Sequence, residues 1–339
     1  MPDFSRRTLI KTAALAVPAT LAMPWVSARA AAKFTYKYGN NLPLTHPLNV
    51  RAAEAADRIR AATNGDLDIR IFPNNQLGGD TDMLNQVRSG AIDFFTPSAL
   101  VIATLVPSAP INAVGFAFPS YDKVWAAMDG DLGAYVGAEI EKVGLHMMKN
   151  VWDNGFRQLT TSAKPVVTPD DLAGIKIRVP VSPLSISLFQ SLGAAPTPMQ
   201  FSEVYTALQT KVIDAQENPL PILQTAKLYE VQKYGMLTNH IWDGFLFIAS
   251  GKTWSRLPED VRKIAEGALN ESGIKQREDI AKMNSSVKAD LESKGMVFNA
   301  PDPAPFREVL KAKGFYAQWH EKFGDEAWTR LEKYVGKLG

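Results

Sequence analysis

Residues 34–72 have the sequence FTYKYGNNLPLTHPLNVRAAEAADRIRAATNGDLDIRIF. Segments 34–38 and 67–72 alternate aromatic or apolar side chains with polar ones, which is typical of strands with one buried face. The segment between them, 47–63, has apolar side chains at helical spacing, at Val50, Ala53, Ala56 and Ile59. Because parallel strands need a crossover that is usually a helix, this stretch predicts a parallel β-α-β unit.

The alternation of helix and strand continues along the chain. Residues 80–89 have the pattern of a short helix, and residues 91–96 have that of a third strand. Repeated strand–helix order is typical of a parallel sheet covered by helices. The sequence therefore predicts the α/β class.

Longer segments downstream indicate the size of the molecule. We predict one helix over 121–143 and two strands, 236–241 and 245–249, that are joined near Trp242. From Pro258 to Ser293 the chain has no internal proline, which predicts a helix of 36 residues, about 54 Å long. The 339 residues correspond to about two domains. A helix this long exceeds one small domain, so we expect it to span both.

The composition excludes several classes of protein. The chain is 46% hydrophobic and 21% charged, which is ordinary for a globular protein. After residue 30 no run of 18 uncharged apolar residues occurs, so a protein with several membrane spans is excluded. The absence of cysteine excludes disulfide scaffolds, thiolate metal sites, cysteine nucleophiles and a lipid anchor on an N-terminal cysteine.

The first thirty residues have the pattern of an export signal. SRRTLIK at 5–11 resembles the twin-arginine motif S-R-R-x-F-L-K, and a weakly apolar stretch follows it. Ala28-Arg29-Ala30 predicts cleavage after Ala30. A general secretory signal is the alternative. Either signal predicts a mature protein that is free in the periplasm, without a membrane anchor of its own.

The net charge depends on that leader. Of 37 basic and 35 acidic residues, four basic and one acidic lie in residues 1–30. The remaining 33 basic and 34 acidic residues nearly cancel, with a net charge of −1. A nearly neutral mature chain offers no electrostatic reason to bind nucleic acid or anionic lipid.

Motifs for catalysis and for cofactors are missing from the sequence. It has no G-x-S-x-G, no H-E-x-x-H and no complete phosphate-binding loop. The four histidines, at 46, 146, 240 and 320, lack the spacing of metal ligands. We therefore predict no catalytic residue, no metal and no cofactor, although paired carboxylates could still meet in the fold.

Two arginines on predicted strands are candidates for binding an anion. Arg178 lies in the apolar segment 175–180, and Arg157 follows Phe156 at the start of another strand. A buried guanidinium matches a carboxylate with two parallel hydrogen bonds. An internal salt bridge is the alternative for each arginine. Asn218 before Pro219 predicts a helix start, which could also bind an anion.

Six stretches carry a resemblance to one protein family. They are FPNNQLGGD (72–80), GIKIRVP (174–180), GAAPTPM (193–199), FSEVYTALQT (201–210), DAQENP (214–219) and LTNH (237–240). In order and spacing they resemble the solute-binding proteins of tripartite ATP-independent periplasmic (TRAP) transporters, of the dicarboxylate-binding DctP type. The resemblance covers nearly all of the mature chain.

The resemblance implies a two-lobed α/β periplasmic binding protein, similar to type II, with strand exchange between the lobes and a long helix across both. We expect residues 31–155 and about 244–283 to form lobe I. Residues 156–243 and about 284–339 are then expected to form lobe II. The resemblance also implies that an organic acid is held in the cleft between the lobes.

The same resemblance assigns residues to that cleft. It implies that Arg178 binds the carboxylate and that Arg157 and Asn218 support it. Further ligand contacts are implied at Asp80, Ser98, Phe201, Asn40, Asn41 and His46. Trp242 lies near a strand end and is a candidate apolar wall, with core packing as the alternative. Glu217 and His240 are predicted to form a supporting pair that senses closure of the cleft.

Two positions depart from the family pattern. Gly79 precedes Asp80, and Ser98 stands where members that bind polyhydroxylated acids often have an acidic residue. The uncharged Ser98 favours a small monocarboxylate with an apolar or aromatic tail, or a 2-oxo or 2-hydroxy acid, over a sugar acid.

Three functions are compatible with the sequence. The first is a monomeric receptor that delivers a small carboxylate to the small and large membrane subunits of a TRAP permease. The second is a ligand-sensing partner of a membrane receptor. The third is a periplasmic enzyme, which the twin-arginine motif favours slightly and the absence of catalytic motifs disfavours.

Overall fold

A computed structural model describes residues 31–339 of the chain, so the predicted leader, residues 1–30, lies outside the described residues. The strands of the described part are β1 Phe34–Gly39, β2 Leu67–Phe72, β3 Phe94–Phe95, β4 Leu145–Met147, β5 Trp152–Thr161, β6 Lys176–Val179, β7 Ala195–Pro198, β8 Ala215–Asn218, β9 Tyr234–Phe245, β10 Ile248–Ser250 and β11 Val297–Asn299.

Helices connect and cover these strands. They are α1 Pro47–Ala62, α2 Asp80–Ser89, α3 Ala99–Ile102, α4 Tyr121–Met128, α5 Asp131–Glu141, α6 Pro183–Ser191, α7 Val204–Gln209, α8 Leu220–Thr225, α9 Gly251–Trp254, α10 Glu259–Asn284, α11 Val287–Ser293, α12 Pro303–Ala312 and α13 Phe315–Val335. Short 3-10 turns lie at Ala109–Ala113, Pro169–Leu172, Phe201–Glu203 and Leu228–Glu230.

The predicted β-α-β unit of residues 34–72 is confirmed. β1 and β2 are parallel, with Phe34 opposite Leu67 and Gly39 opposite Phe72. Helix α1 crosses between them and begins at His46, whose Nδ1 accepts a hydrogen bond from the backbone N–H of Leu48 at 3.1 Å.

The strands form two sheets. One sheet has the order β2-β1-β3-β10-β4, and the other has the order β11-β9-β5-β8-β6-β7. The chain passes from the first sheet to the second between β4 and β5, and it returns between β9 and β10. It passes to the second sheet again through α10 and α11 to reach β11. These crossings confirm the α/β class and the predicted exchange of strands between two halves.

The predicted 36-residue helix is interrupted. Helix α10 has 26 residues, about 39 Å, and α11 follows after Ser285 and Ser286. The hydroxyl of Ser285 donates to the carbonyl of Lys282, and that of Ser286 donates to the carbonyl of Met283. Such bonds compete with the helical backbone bonds, and this competition accounts for the break. Helix α10 still packs against α1 and α8, which follow strands of different sheets.

Two other boundaries were also predicted wrongly. The segment 121–143 forms α4 and α5 instead of one helix, because Gly130 between them has non-helical backbone angles. Two strands are present as predicted, but β9 continues through Trp242 to Phe245 and β10 begins at Ile248, so the junction lies at residues 246 and 247. Pairing with β5 keeps β9 extended at Trp242, which stands opposite Phe156.

The predicted lobe limits at 155/156 and 243/244 fall inside β5 and β9, where Gly155 is paired with Asp243. The assignment of residues to lobes stays a prediction. None of the helices formed by residues 31–339 combines the length and the apolar character that a membrane span needs.

Candidate functional site

A cavity lies where elements of the two sheets meet. Its volume is about 430 Å³ when the space at its open mouth is included. The lining residues are Asn41, Leu42, Asp80, Ser98, Val101, Asn154, Arg157, Arg178, Pro180, Val181, Met199, Gln200, Phe201, Asn218, Ile222 and Phe245. The mixture of apolar walls with a few convergent polar groups is typical of small-molecule sites.

Most of the predicted ligand contacts are brought together in this cavity. They are Arg178, Arg157, Asn218, Phe201, Asp80, Ser98 and Asn41. Asn154 and Gln200 also line it, although no motif in the sequence indicates either of them. The seven predicted residues come from segments up to 177 positions apart, so only the fold places them together.

Three predicted contacts lie outside the lining. Asn40 is buried and exchanges amide hydrogen bonds with Asn49 on α1 at 2.7 and 3.1 Å. His46 is buried at the start of α1, and burial lowers its pKa to about 3. Trp242 packs in the core with its ring 5.3 Å from that of Trp125, so core packing describes it better than an apolar wall.

Arg178 is a buried cation without a carboxylate partner. Its Nε and Nη2 both donate to the backbone carbonyl of Met199, at 3.0 and 2.8 Å, and its guanidinium lies 5.8 Å from the ring centre of Phe201. Among the described residues it makes no salt bridge, and Nη1 has no hydrogen-bond partner. Burial and the like charge of Arg157 lower its pKa to about 10. The internal salt bridge considered for Arg178 is therefore absent from the described part of the chain.

Arg157, by contrast, is fully paired. Its Nε and Nη2 bind the two carboxylate oxygens of Glu217, and its Nη1 donates to Asp243 Oδ2 at 2.9 Å. Nη2 also donates to Asn218 Oδ1 at 3.2 Å. Both acids and the arginine are buried. The internal salt bridge that the sequence left open is thus found at Arg157.

Glu217 and His240 form the predicted supporting contact. His240 Nε2 lies 3.1 Å from Glu217 Oε2, and its Nδ1 lies 2.7 Å from Thr238 Oγ1. Burial alone would raise the pKa of Glu217, but the charge of Arg157 and the bond from His240 outweigh it and lower the pKa to about 2. Glu217 is therefore ionised at neutral pH. A role in sensing closure stays a prediction.

Asn218 does not start a helix as predicted. It is the last residue of β8, and Pro219 is the N-cap of α8. Pairing of β8 with β5 extends the strand to this residue, with Asn218 opposite Gln158. Its side-chain amide donates to Gln216 Oε1 at 2.6 Å. Asn218 thus faces the cavity from a strand end.

Ser98 is bound to a carboxylate that the sequence did not indicate. Its hydroxyl lies 2.8 and 2.7 Å from the two carboxylate oxygens of Asp243, and it accepts from the N–H of Leu100 at 3.1 Å. Burial raises the pKa of Asp243, and the charge of Arg157 partly offsets this rise. Asp243 of β9 therefore places a carboxyl group behind Ser98, where the sequence pattern lacks one.

Three buried oxygens of cavity residues have no hydrogen-bond partner in the described part of the chain: Asn41 Oδ1, Asp80 Oδ1 and Asn154 Oδ1. The Asn41 amide donates to Asp80 Oδ2 at 3.1 Å, and the Asn154 amide donates to Asp243 Oδ2 at 2.9 Å. These carboxylates fix both amide orientations, because a reversed amide would place oxygen against oxygen. An unsatisfied buried acceptor costs about 1–3 kcal/mol, so the cavity favours a ligand with donor groups.

Asp153 is a titrating group beneath the cavity. Burial raises its pKa to about 7, Asp243 adds to the rise, and hydrogen bonds from Trp242 and Tyr121 partly offset it. The folded protein therefore holds this proton up to about pH 7, whereas the unfolded chain releases it near pH 4. Stability from this group is complete at low pH and is lost as the pH rises through 7.

We expect Asp153→Asn to gain stability relative to the wild type by about 2–3 kcal/mol between pH 5 and pH 8. Urea unfolding of both proteins at the two pH values measures this difference. Asp57→Asn, at an exposed position on α1, is the matched control. The same stability difference at both pH values would show that Asp153 is already ionised at pH 5.

No group of three or more histidine, aspartate or glutamate side chains within residues 31–339 is arranged to hold a metal ion.

Comparison with known proteins identifies the family. The family model described as bacterial extracellular solute-binding protein, family 7 (DctP) matches residues 38–320. The chain belongs to this family. The C4-dicarboxylate-binding periplasmic protein DctP of Rhodobacter capsulatus is 32% identical over 303 residues, which cover 88% of this chain and 87% of that protein.

Solved structures of DctP-family proteins share the fold. The sugar acid binding protein DctPAm of Advenella mimigardefordensis, in complex with galactonate, matches with a TM-score of 0.86 and 29% identity, over 91% of this chain and 100% of that one. A TRAP periplasmic solute binding protein from Sulfurospirillum deleyianum with bound succinate matches with a TM-score of 0.83 and 29% identity, over 89% and 99% of the two chains. The predicted family and the two-lobed binding-protein fold are thereby confirmed.

Proposed function

We propose that this protein is a periplasmic receptor that captures a small hydroxylated carboxylate in the cavity. The observation that carries the proposal is Arg178, a buried guanidinium that has no carboxylate partner among the described residues and lines the cavity. A buried charge is costly unless it is paired, so a ligand carboxylate would complete its environment. Arg157 cannot take this role alone, because Glu217 and Asp243 already neutralise it.

The rest of the cavity favours hydroxyl groups on the ligand. Asn41, Asp80 and Asn154 each present a buried acceptor that a hydroxyl can satisfy. This arrangement changes the preference drawn from Ser98, because an acid with an apolar tail would leave all three acceptors unpaired. The relatives with bound galactonate and succinate are compatible with a small acid as ligand.

Apolar side chains complete the proposed site. Phe201 lies against the Arg178 guanidinium, and Leu42, Ile222 and Phe245 supply further apolar surface. Excluding water from such a cavity strengthens each charge-assisted hydrogen bond. The ligand body would therefore lie between these walls, with its carboxylate at Arg178.

The family and the sequence of residues 1–30 support a proposal for the cellular role. We infer that residues 1–30 direct export, that the mature chain acts in the periplasm as a monomer, and that it delivers the ligand to a permease with small and large membrane subunits. The family is described as one of solute-binding proteins, so we propose binding without turnover.

A thermal-shift comparison of matched compounds tests the ligand class. D-Galactonate carries both the carboxylate and the hydroxyls, hexanoate lacks the hydroxyls, and galactitol lacks the carboxylate. A ligand at 100 times its dissociation constant stabilises by about 2.7 kcal/mol, which corresponds to a rise of about 3–8 °C in the midpoint. We expect D-galactonate, or a shorter hydroxy acid tested beside it, to give this rise.

The two incomplete compounds are the controls in that comparison. Hexanoate should give a much smaller rise, and galactitol should give none. A rise with hexanoate that equals those of the hydroxy acids would contradict the role of the three acceptors. A rise with galactitol, or none with any acid, would contradict carboxylate binding.

A further inference from the structure

Gln200 connects the two halves of the molecule across the cavity. It follows β7 of the second sheet, and its side chain contacts the start of α2, which follows β2 of the first sheet. Its Oε1 accepts from the backbone N–H of Asp80 at 2.9 Å, and its Nε2 donates to Thr81 Oγ1 at 2.6 Å. We name these two hydrogen bonds the Gln200 latch.

Helix α2 lacks a side-chain cap of its own. Its N-cap residue is Gly79, which has no side chain to accept from the first helical N–H groups. The Asp82 carboxylate accepts from the N–H of Gly79 at 3.1 Å and not from the N–H of Asp80. The latch therefore supplies from the other half of the molecule the acceptor that the start of α2 needs.

Gly79 also makes room for the latch. A Cβ at this position would lie 3.2–3.3 Å from three atoms of the Gln200 side chain, closer than most such contacts in proteins. The φ angle of Gly79 is −66°, which any residue can adopt. Gly79 thus lets Gln200 approach without crowding, and its own backbone conformation does not call for glycine.

The latch is connected to the carboxylate site through the backbone. Arg178 donates twice to the carbonyl of Met199, the residue before Gln200, and the N–H of Met199 donates to the carbonyl of Val179 at 3.1 Å. Gln200 itself lines the cavity. The carboxylate site at Arg178 and the Gln200 latch therefore depend on the same short segment of the second half, Met199 and Gln200.

We propose that Gln200 is a positioning residue whose latch holds the two halves closed over the ligand and so sets how long the ligand stays bound. The proposal rests on the proposed function in one respect, that capture involves closure of the two halves. Two neutral hydrogen bonds correspond to about 5- to 150-fold in an equilibrium constant. Removing the latch should raise the rate constant of ligand dissociation by such a factor and should have little effect on the rate constant of association.

The distance between the halves can be measured without any ligand. Because the chain has no cysteine, Arg70→Cys and Gln209→Cys introduce a unique pair of exposed spin-label sites, one on each half. Pulsed electron spin resonance then gives the fractions of closed and open molecules. In this background we expect Gln200→Ala to lower the ratio of closed to open molecules by about 5- to 150-fold.

Three variants make that test specific. Gly79→Ala should lower the closed fraction as well, because its methyl group crowds Gln200. Gln190→Ala, an exposed glutamine on α6, is the matched control and should leave the closed fraction unchanged. With D-galactonate as probe, Gln200→Ala should raise the dissociation rate by the same factor as it lowers closure, whereas a merely structural role would lower only the thermal midpoint.

The proposal would be overturned if Gln200→Ala left the ratio of closed to open molecules unchanged. It would also be overturned if the wild type showed no closed molecules. The result can be read even if no acid binds, since the distances are recorded without ligand. Failure of the carboxylate proposal would appear only in the thermal-shift and titration experiments.

Discussion

Arg178→Ala is expected to weaken binding of the acid ligand by about 30- to 4000-fold while leaving the unliganded protein at least as stable as the wild type. Removing one partner of a buried charge pair costs about 2–5 kcal/mol of binding free energy, which corresponds to this range. The unliganded protein loses two hydrogen bonds to the Met199 carbonyl, but it also loses a buried cation that has no carboxylate partner in the described part of the chain, and relief of that desolvation cost offsets the lost bonds. Titration calorimetry measures the affinity, and urea unfolding measures the stability.

Two further variants test the chemistry of this position. Arg178→Lys should fail nearly as badly as Arg178→Ala, because an ammonium cannot reproduce the planar fork of a guanidinium. Lys176→Ala, at an exposed position on the same strand, is the control and should bind as the wild type does. Full affinity in Arg178→Lys would mean that charge alone, without bidentate geometry, holds the ligand.

Arg157→Ala is expected to have the opposite profile, with a loss of about 3–5 kcal/mol in the free energy of unfolding. The substitution leaves Glu217 and Asp243 buried side by side without their common counter-ion. Urea unfolding of the unliganded protein measures this loss. The variant is expected to be destabilised whether or not a ligand is present.

A triple variant separates the lost charge pairing from the lost packing. Arg157→Met combined with Glu217→Gln and Asp243→Asn removes all three charges and should recover part of the lost stability. If Arg157→Ala unfolds like the wild type and loses only binding, then Arg157 belongs with Arg178 as a primary ligand contact.

The two arginines show what the sequence could and could not predict. Arg178 lies between Ile177 and Val179, and Arg157 follows Phe156 on another strand. The local pattern alone gave both arginines the same two interpretations. Their difference arises from Glu217 and Asp243, which are 60 and 86 residues from Arg157 and reach it only through the pairing of β5 with β8 and β9. Pairing over such distances leaves no periodic signal in the sequence.

The fold was predictable where the signal is local. The alternation in β1 and β2 and the helical spacing in α1 depend only on neighbouring residues, and all three elements were predicted within about one residue. The continuity of β9 through Trp242 depends on its partner β5. The break after α10 depends on two serine hydroxyls, and serine pairs also occur within unbroken helices.

The candidate site was predictable largely through the family resemblance. Asp80, Ser98 and Phe201 have no motif of their own, and the cavity brings them together with Arg178. Asn154, Gln200 and Asp243 were missed because isolated polar residues carry no sign of their partners. Asp243 could have been suspected, since a carboxylate inside the apolar segment 241–245 needs a buried partner.

The most direct test of the account is a calorimetric titration of the wild type and Arg178→Ala with the hydroxy acid that gives the largest thermal shift. We expect a single site in the wild type and an affinity at least about 30-fold lower in Arg178→Ala, with a folded variant that is at least as stable as the wild type. Binding by Arg178→Ala within a few-fold of the wild type would contradict the assignment of Arg178 as the residue that holds the ligand carboxylate.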